Sequence, residues 1–197
     1  LEPVYGLLMA FIFFNENKEA KKLYEREIDM LSKTVSTIHH QILFTRDYQD
    51  MGVLAPVWTQ VSLVIQKQSK NAIFSDIEIE CSTGSLEIFA DPMFSKVCFN
   101  LMENALRHGE RVSQIRVSFE QTPEHGILIF EDDGVGVPMD EKKKIFDRGF
   151  GKNTGFGLFL SAEILSLTGM TIRETGEAGK GARFEITIPN GGFRLGT

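Results

Sequence analysis

The sequence predicts an α+β protein: an antiparallel helical hairpin followed by a domain that mixes strands and helices without strict alternation. Three observations carry this. The apolar run Val4–Phe14 breaks at Asn15-Glu16-Asn17 and gives way to a stretch without Gly or Pro as far as Asp50. Within that stretch Tyr24, Ile28, Leu31, Val35, Ile38, Ile42 and Thr45 recur at alternating steps of four and three, the spacing of a helix packed along another helix. Beyond Pro56 the texture changes to short apolar segments punctuated by turn residues.

Composition narrows the function classes. At 197 residues the chain is long enough to bury a core without metal or disulfide staples. Its net charge of −6 argues against nucleic acid as a partner, which needs a basic face. Two cysteines, Cys81 and Cys98, exclude a disulfide scaffold and suit a reducing cytoplasmic setting. The eleven-residue run Val4–Phe14 is too short to span a bilayer and has no basic segment before it, so it reads as a buried helix rather than a signal peptide. A membrane would be reached only through a region upstream of this chain.

The elements follow in order. Asn15-Glu16-Asn17 can cap the long second helix, which Gly52 ends. A hairpin buries little by itself, so a second copy is its natural completion, and a homodimer is expected. Thr59–Lys70 reads as a helix; 76–81 and 86–90 read as strands around the turn Ser82-Thr83-Gly84-Ser85. Asp91-Pro92 opens a helix through His108, with Asp as N-cap and Pro at the first helical position. Strands are expected over 115–120 and 126–131, a short helix over 141–146, and a helix over 157–168. Strands over 171–174 and 182–188 follow, and the residues after Pro189 look like a frayed tail. The expected domains are residues 1–52 (hairpin, truncated at its start), 53–190 (the α+β domain) and 191–197 (tail).

Four stretches carry chemistry. Asn100 and Asn104 share one helix face, with Arg107 and His108 beyond them. A carboxamide oxygen suits Mg²⁺ and a guanidinium suits phosphate, although two surface amides on an amphipathic helix would read the same way. Next, Asp132-Asp133-Gly134-Val135-Gly136 follows an apolar strand. Its glycines allow a tight turn and close backbone approach, and a carboxylate there can accept from an exocyclic amine; an ordinary acidic turn is the alternative. Third, Gly149–Leu158 is glycine-rich and runs into a helix, where backbone amides and the helix dipole favour phosphate. It is neither a Walker A loop, since Phe146 and Asn153 stand where Gly and Ser or Thr are required, nor a dinucleotide fingerprint, since Met139 or Leu160 replaces the third glycine. Fourth comes Phe146–Phe150, whose two rings serve equally as core. The run Lys142–Lys144 reads as a solvated face.

In this order the stretches resemble the N, G1, F and G2 boxes of the ATP-binding domain of sensor histidine kinases, within the Bergerat-fold (GHKL) ATPases shared with gyrase, Hsp90 and MutL. The likeness covers about residues 59–189, and Gly181-Ala182-Arg183-Phe184 is similar to the closing strand of that domain. It implies a two-layer α/β sandwich that binds ATP with Mg²⁺. Asn104 would ligate the metal, with Asn100 helping to place metal and phosphates. Asp132 would read the adenine amine over a floor of Gly134 and Gly136. Arg107 and His108 would lie near the phosphates, which Gly155 and Gly157 would admit beside Phe156 and Leu158. The stretch Met139–Thr154 would be a lid that includes Phe146, with Arg148 and Lys152 within reach of phosphate.

The resemblance further implies γ-phosphoryl transfer to a histidine and relay to an aspartate of a response-regulator receiver domain. His39 and His40 sit on the second helix, and His40 faces away from the seam with Gln41 rather than an acidic residue after it. It reads as a solvated surface side chain. The acceptor is expected roughly ten residues upstream of Gly6. Phe44–Tyr48 and Ala55–Trp58 look like the joints of kinases from methanogenic archaea. Three alternatives stand beside the kinase: a Bergerat ATPase that hydrolyses ATP, an anti-sigma-type Ser kinase, and a nucleotide-binding dimerisation module without kinase activity. Hydrolysing relatives carry an acidic residue where Asn100 stands, and Asn cannot take a proton from water.

Overall fold

The computed structural model describes residues 18–150 and 155–196, together with Gly6 and Met9, which are helical. The rest of the helix expected over Val4–Phe14 lies outside the described residues, as does Lys152. The chain divides into two units, Leu1–Thr45 and Arg46–Thr197.

In the first unit lies most of helix α1, Lys18–Asp50, which forms where the sequence has no helix breaker. The stripe Ile28, Leu31, Val35, Ile38 and Ile42 stands open, each residue more than half exposed. His40 is half-buried rather than fully solvated, with Nδ1 2.6 Å from the Ser36 carbonyl one turn back.

The second unit is the α/β sandwich. Its elements are β1 (Val57–Gln60), α2 (Val61–Ser69), β2 (Glu78–Ser82), β3 (Leu86–Ala90) and α3 (Phe94–His108). Then come β4 (Gln114–Gln121), β5 (His125–Asp132), α4 (Gly157–Ser166), β6 (Thr171–Glu174), β7 (Arg183–Pro189) and β8 (Phe193–Leu195). Five strands form a mixed sheet in the order β2-β4-β5-β7-β6, with β2 parallel to β4 and every other pair antiparallel. Helix α3 packs against α2, α4 and β5, making the second layer. Between the layers Val97, Met102, Val117, Leu128, Ile164, Leu165 and Ile186 are at most 1% exposed. Such alternation of buried and exposed positions along the strands is what places a helix layer on one side.

Asp91 is not the N-cap of α3, since the helix begins only at Phe94 with Met93 at the N-cap position and Pro92 before it; its carboxylate instead ties together two segments ahead of the helix. Its Oδ1 accepts from Met93 N at 2.8 Å and its Oδ2 from Gly52 N at 3.1 Å, so a 2% exposed carboxylate has both oxygens engaged.

Three further expectations about the elements need correction. The helix expected from Thr59 begins only at Val61, because Val57–Gln60 is a strand paired antiparallel with β3. The short helix over 141–146 is reduced to a 3-10 turn, Lys144–Phe146. The tail is not frayed, since Phe193–Leu195 is the strand β8, the third of the sheet β1-β3-β8. Arg194 binds there twice: its Nε lies 2.5 Å from Glu87 Oε2, and its guanidinium lies 4.2 Å from the centre of the Trp58 ring. No helix among the described residues is long and apolar enough to cross a membrane.

Candidate functional site

The end of α3, the end of β5 and the start of α4 converge. Helix α3 is amphipathic, and its buried face includes Asn100, only 8% exposed. An amide so placed needs partners. Asn100 Nδ2 donates to the Gly157 carbonyl and to Ser161 Oγ, each at 3.1 Å, so it ties α3 to the first turn of α4. Asn104, one turn further on, has Nδ2 buried without a hydrogen-bond partner among the described residues. A buried amide left unmatched costs on the order of 1–3 kcal/mol, which a ligand at that position would recover. Turning the amide plane over presents its oxygen instead, and an amide oxygen is a hard ligand suited to Mg²⁺. The residue present therefore fits the metal that the resemblance implies.

Arg107 and His108 end the helix exposed. The Arg107 guanidinium is held 2.8 Å from Glu103 Oε1, one turn back, an exposed pair of small net worth.

The two aspartates after β5 have opposite environments. Asp133 Oδ1 accepts from Ser113 N and Gln114 N at 2.8 and 3.0 Å, and its Oδ2 from the Ser113 hydroxyl at 2.5 Å. These bonds hold its carboxyl below the usual range and secure the start of β4. Asp132 Oδ1 accepts from Gly134 N at 2.9 Å and Ala182 N at 3.2 Å. Burial outweighs these bonds and, with the charges of Asp133 and Glu174, raises its carboxyl above the ordinary value. The pair thus comprises a structural carboxylate and a part-buried one with Oδ2 still available for an amine.

Glycine is required around Asp132 by close backbone approach. A Cβ on Gly134 would lie 2.6 Å from the Gly109 α-carbon, so the end of α3 and the turn after β5 touch main chain to main chain. Gly136, at φ +70°, faces the Gly181 carbonyl in the same manner. Gly155, at φ +63°, is similarly close to the Gly149–Phe150 peptide, and Gly149 N donates to its carbonyl at 3.2 Å. Helix α4 then begins at Gly157 with no capping side chain among the described residues. Phe156 precedes it, with the Arg148 guanidinium 5.9 Å from its ring centre. Leu158 is half-buried on the first turn. The Phe146 ring meets Phe184 edge-on at 6.4 Å, which makes it a packing residue beside the site.

Residues 91–192 match the family described as histidine kinase-, DNA gyrase B- and HSP90-like ATPase, and that span is just over half of the chain. The chain belongs to this family. Among relatives of this ATPase domain, the alginate biosynthesis sensor protein KinB of Pseudomonas aeruginosa is 29% identical over 95% of the chain. The chain spans 34% of that protein, about a third of its length. A mycobacterial sensor histidine kinase, MprB, superposes with a TM-score of 0.61 at 22% identity, over 68% of this chain and 97% of the other. Full-length ShkA in complex with AMPPNP superposes with a TM-score of 0.61 at 21% identity, over 91% of this chain and 39% of the other. These likenesses support the fold; the relatives named with an organism are bacterial and lend no support to the narrower archaeal likeness.

Sequence reasoning missed several residues that shape the ATPase domain's site. Gly109 gave only the signal of a glycine after a helix; a Cβ there would lie 2.2 Å from Val112 Cγ2 and 2.6 Å from the Ala105 carbonyl, and its own α-carbon is what Gly134 packs against. Gly181 belonged to a recognised strand start, yet its contact with Asp132 was not foreseen. Lys142 is not part of a solvated face: its side chain is 12% exposed and lies against Glu174, whose own is wholly buried.

Proposed function

We propose that the chain is the ATP-binding catalytic part of a sensor histidine kinase, which transfers the γ-phosphate of ATP to a histidine for relay to a response-regulator aspartate. The observation that carries this is Asn100. It is an amide with its N–H groups engaged, at the position where a hydrolysing relative would hold a carboxylate to activate water. Without a protein base for water, the acceptor imidazole serves as the nucleophile. Catalysis then rests on positioning and charge stabilisation.

Asp132 accepts from the adenine amine, over the floor made by Gly134 and Gly136. Gly155 and the amides at the start of α4, Gly157 and Leu158, receive phosphate oxygens, and Asn100 fixes that helix start relative to α3. Arg107, released from Glu103, and Lys152 supply positive charge towards the phosphates, His108 lies near them, and Phe146 and Phe156 wall the site. Mg²⁺ supplies neutralisation of the phosphate charge, and Asn104 is the residue that would hold it. The chain works in the cytoplasm on this reading.

Asn104→Ala tests the proposal. Titrations of ATP with and without Mg²⁺ should show that the native chain gains affinity from the metal while the variant gains none. ADP without metal should bind both alike, because the adenine end is untouched. A metal-dependent gain that survives in the variant would move the metal to another residue; no ATP binding by the native chain would end the reading.

The open stripe on α1 supports a homodimer, since apolar residues at steps of four and three are satisfied by a second helix of like pattern. Val35→Asp with Ile38→Asp places charges in that seam. Light scattering should report a dimer for the native chain and a monomer for the variant; a native monomer at high concentration would contradict the assignment.

A further inference from the structure

The buried Lys142–Glu174 pair joins three segments at the adenine end. Lys142 follows the turn after β5, Glu174 ends β6, and the loop 175–182 leads from β6 into β7. Lys142 Nζ lies 2.5 Å from Glu174 Oε2 and also donates to the Gly176 carbonyl. Among the described residues Oε2 has no partner besides this lysine. Glu174 Oε1 accepts from Gly176 N at 3.0 Å and from Arg183 N at 3.2 Å. One carboxylate therefore clasps both ends of the loop from inside, and the lysine fastens it to the segment beyond Asp132.

That loop is what shapes the surroundings of Asp132. Ala182 N donates to Asp132 Oδ1, Gly179 N donates to the Val135 carbonyl at 2.7 Å, and Gly181 leaves no room for a Cβ against the Asp132 carbonyl. Net stability is a poor account of such a pair, because apolar residues of similar volume generally serve a buried position as well or better. An apolar pair would fill the space but could not accept from Gly176 N and Arg183 N.

We propose that Lys142, acting through Glu174, is a positioning residue for adenine recognition, holding loop 175–182 in the form that aims the Asp132 carboxylate. This rests on the nucleotide reading above. Its signature is discrimination between ATP and ITP, whose ring carries a carbonyl in place of the amine. The ratio of the two affinities is independent of how much of a sample is folded, so a purely structural role would leave it alone.

The test compares the native chain with Lys142→Met and with Lys142→Met/Glu174→Leu, by calorimetric titration of both nucleotides and by thermal unfolding. The native chain should prefer ATP, and Lys142→Met should lower that preference about three- to tenfold. The double variant, with an apolar pair, should regain part of the melting temperature that the single variant loses, because no buried charge is left unpaired, while the preference stays low. It carries the test even where the single variant does not fold. A native ratio in Lys142→Met, or a ratio restored together with stability in the double variant, would overturn the inference while leaving the nucleotide reading in place. A native chain that binds neither nucleotide would overturn both.

Discussion

Asp132→Asn is expected to weaken ATP binding by roughly 1–3 kcal/mol, which is about one to two orders of magnitude in affinity. The substitution keeps an oxygen for Gly134 N and Ala182 N, so the fold should survive. What changes is the free end of the group, where an N–H₂ would face the adenine amine, donor against donor. Calorimetry should show the loss for ATP and little change in melting temperature. Equal affinity in variant and native chain would sink the assignment of Asp132. A pH dependence belongs to the same residue. Burial raises the carboxyl above the ordinary aspartate range, so the native chain holds that proton more tightly than the unfolded chain does. Stability therefore falls as pH rises through the interval between the ordinary and the raised value. ATP binding runs the other way, since only the ionised group accepts from the amine. The acid loss of affinity should begin at a higher pH than a solvent-exposed aspartate would give, and Asp132→Asn should abolish it.

Gly181→Ala is expected to cost about 3 kcal/mol or more of stability, on the order of 6–12 °C in melting temperature. At φ +104° a Cβ would lie 1.8 Å from the Asp132 carbonyl oxygen, main chain against side chain with neither able to yield locally. Gly179 is the control: it has φ +89° but nothing within 4 Å of an added Cβ, so alanine there bears only the backbone strain, about 1–2 kcal/mol. Thermal unfolding followed by circular dichroism separates the two. Equal destabilisation at both positions would mean that loop 175–182 is not pressed onto β5 as described.

The parts of the fold legible in the sequence were those fixed by local pattern. Short apolar segments between turn residues marked β4, β5 and β7; Asp91-Pro92 marked the start of α3 to within three residues; the glycine-free heptad stretch marked α1. The order of the polar and glycine-rich stretches marked the family. What escaped depends on distant partners. The strand β8 is three residues long, and its pairing with β3 joins Leu195 to Leu86 across the length of the domain, so no window around Gly191-Gly192-Phe193 could announce it. Lys142, Lys143 and Lys144 look alike in sequence, and only the position of Glu174, on another strand, decides that the first of them is buried. Gly134 likewise acquires its constraint from the distant Gly109.

The sheet β1-β3-β8 has a consequence for the order of folding. Its middle strand is flanked by one neighbour from the front of the domain and one from its very end, Val57–Gln60 and Phe193–Leu195. Closing the second of these contacts requires a loop of on the order of a hundred residues, and the entropy of that closure is recovered only after the intervening chain is ordered. The clamp of Arg194 on Trp58 and Glu87 therefore belongs to the native side of the folding barrier. Changes at Arg194 should act on the rate of unfolding and scarcely on the rate of folding, making the β3–β8 contact a kinetic fastener.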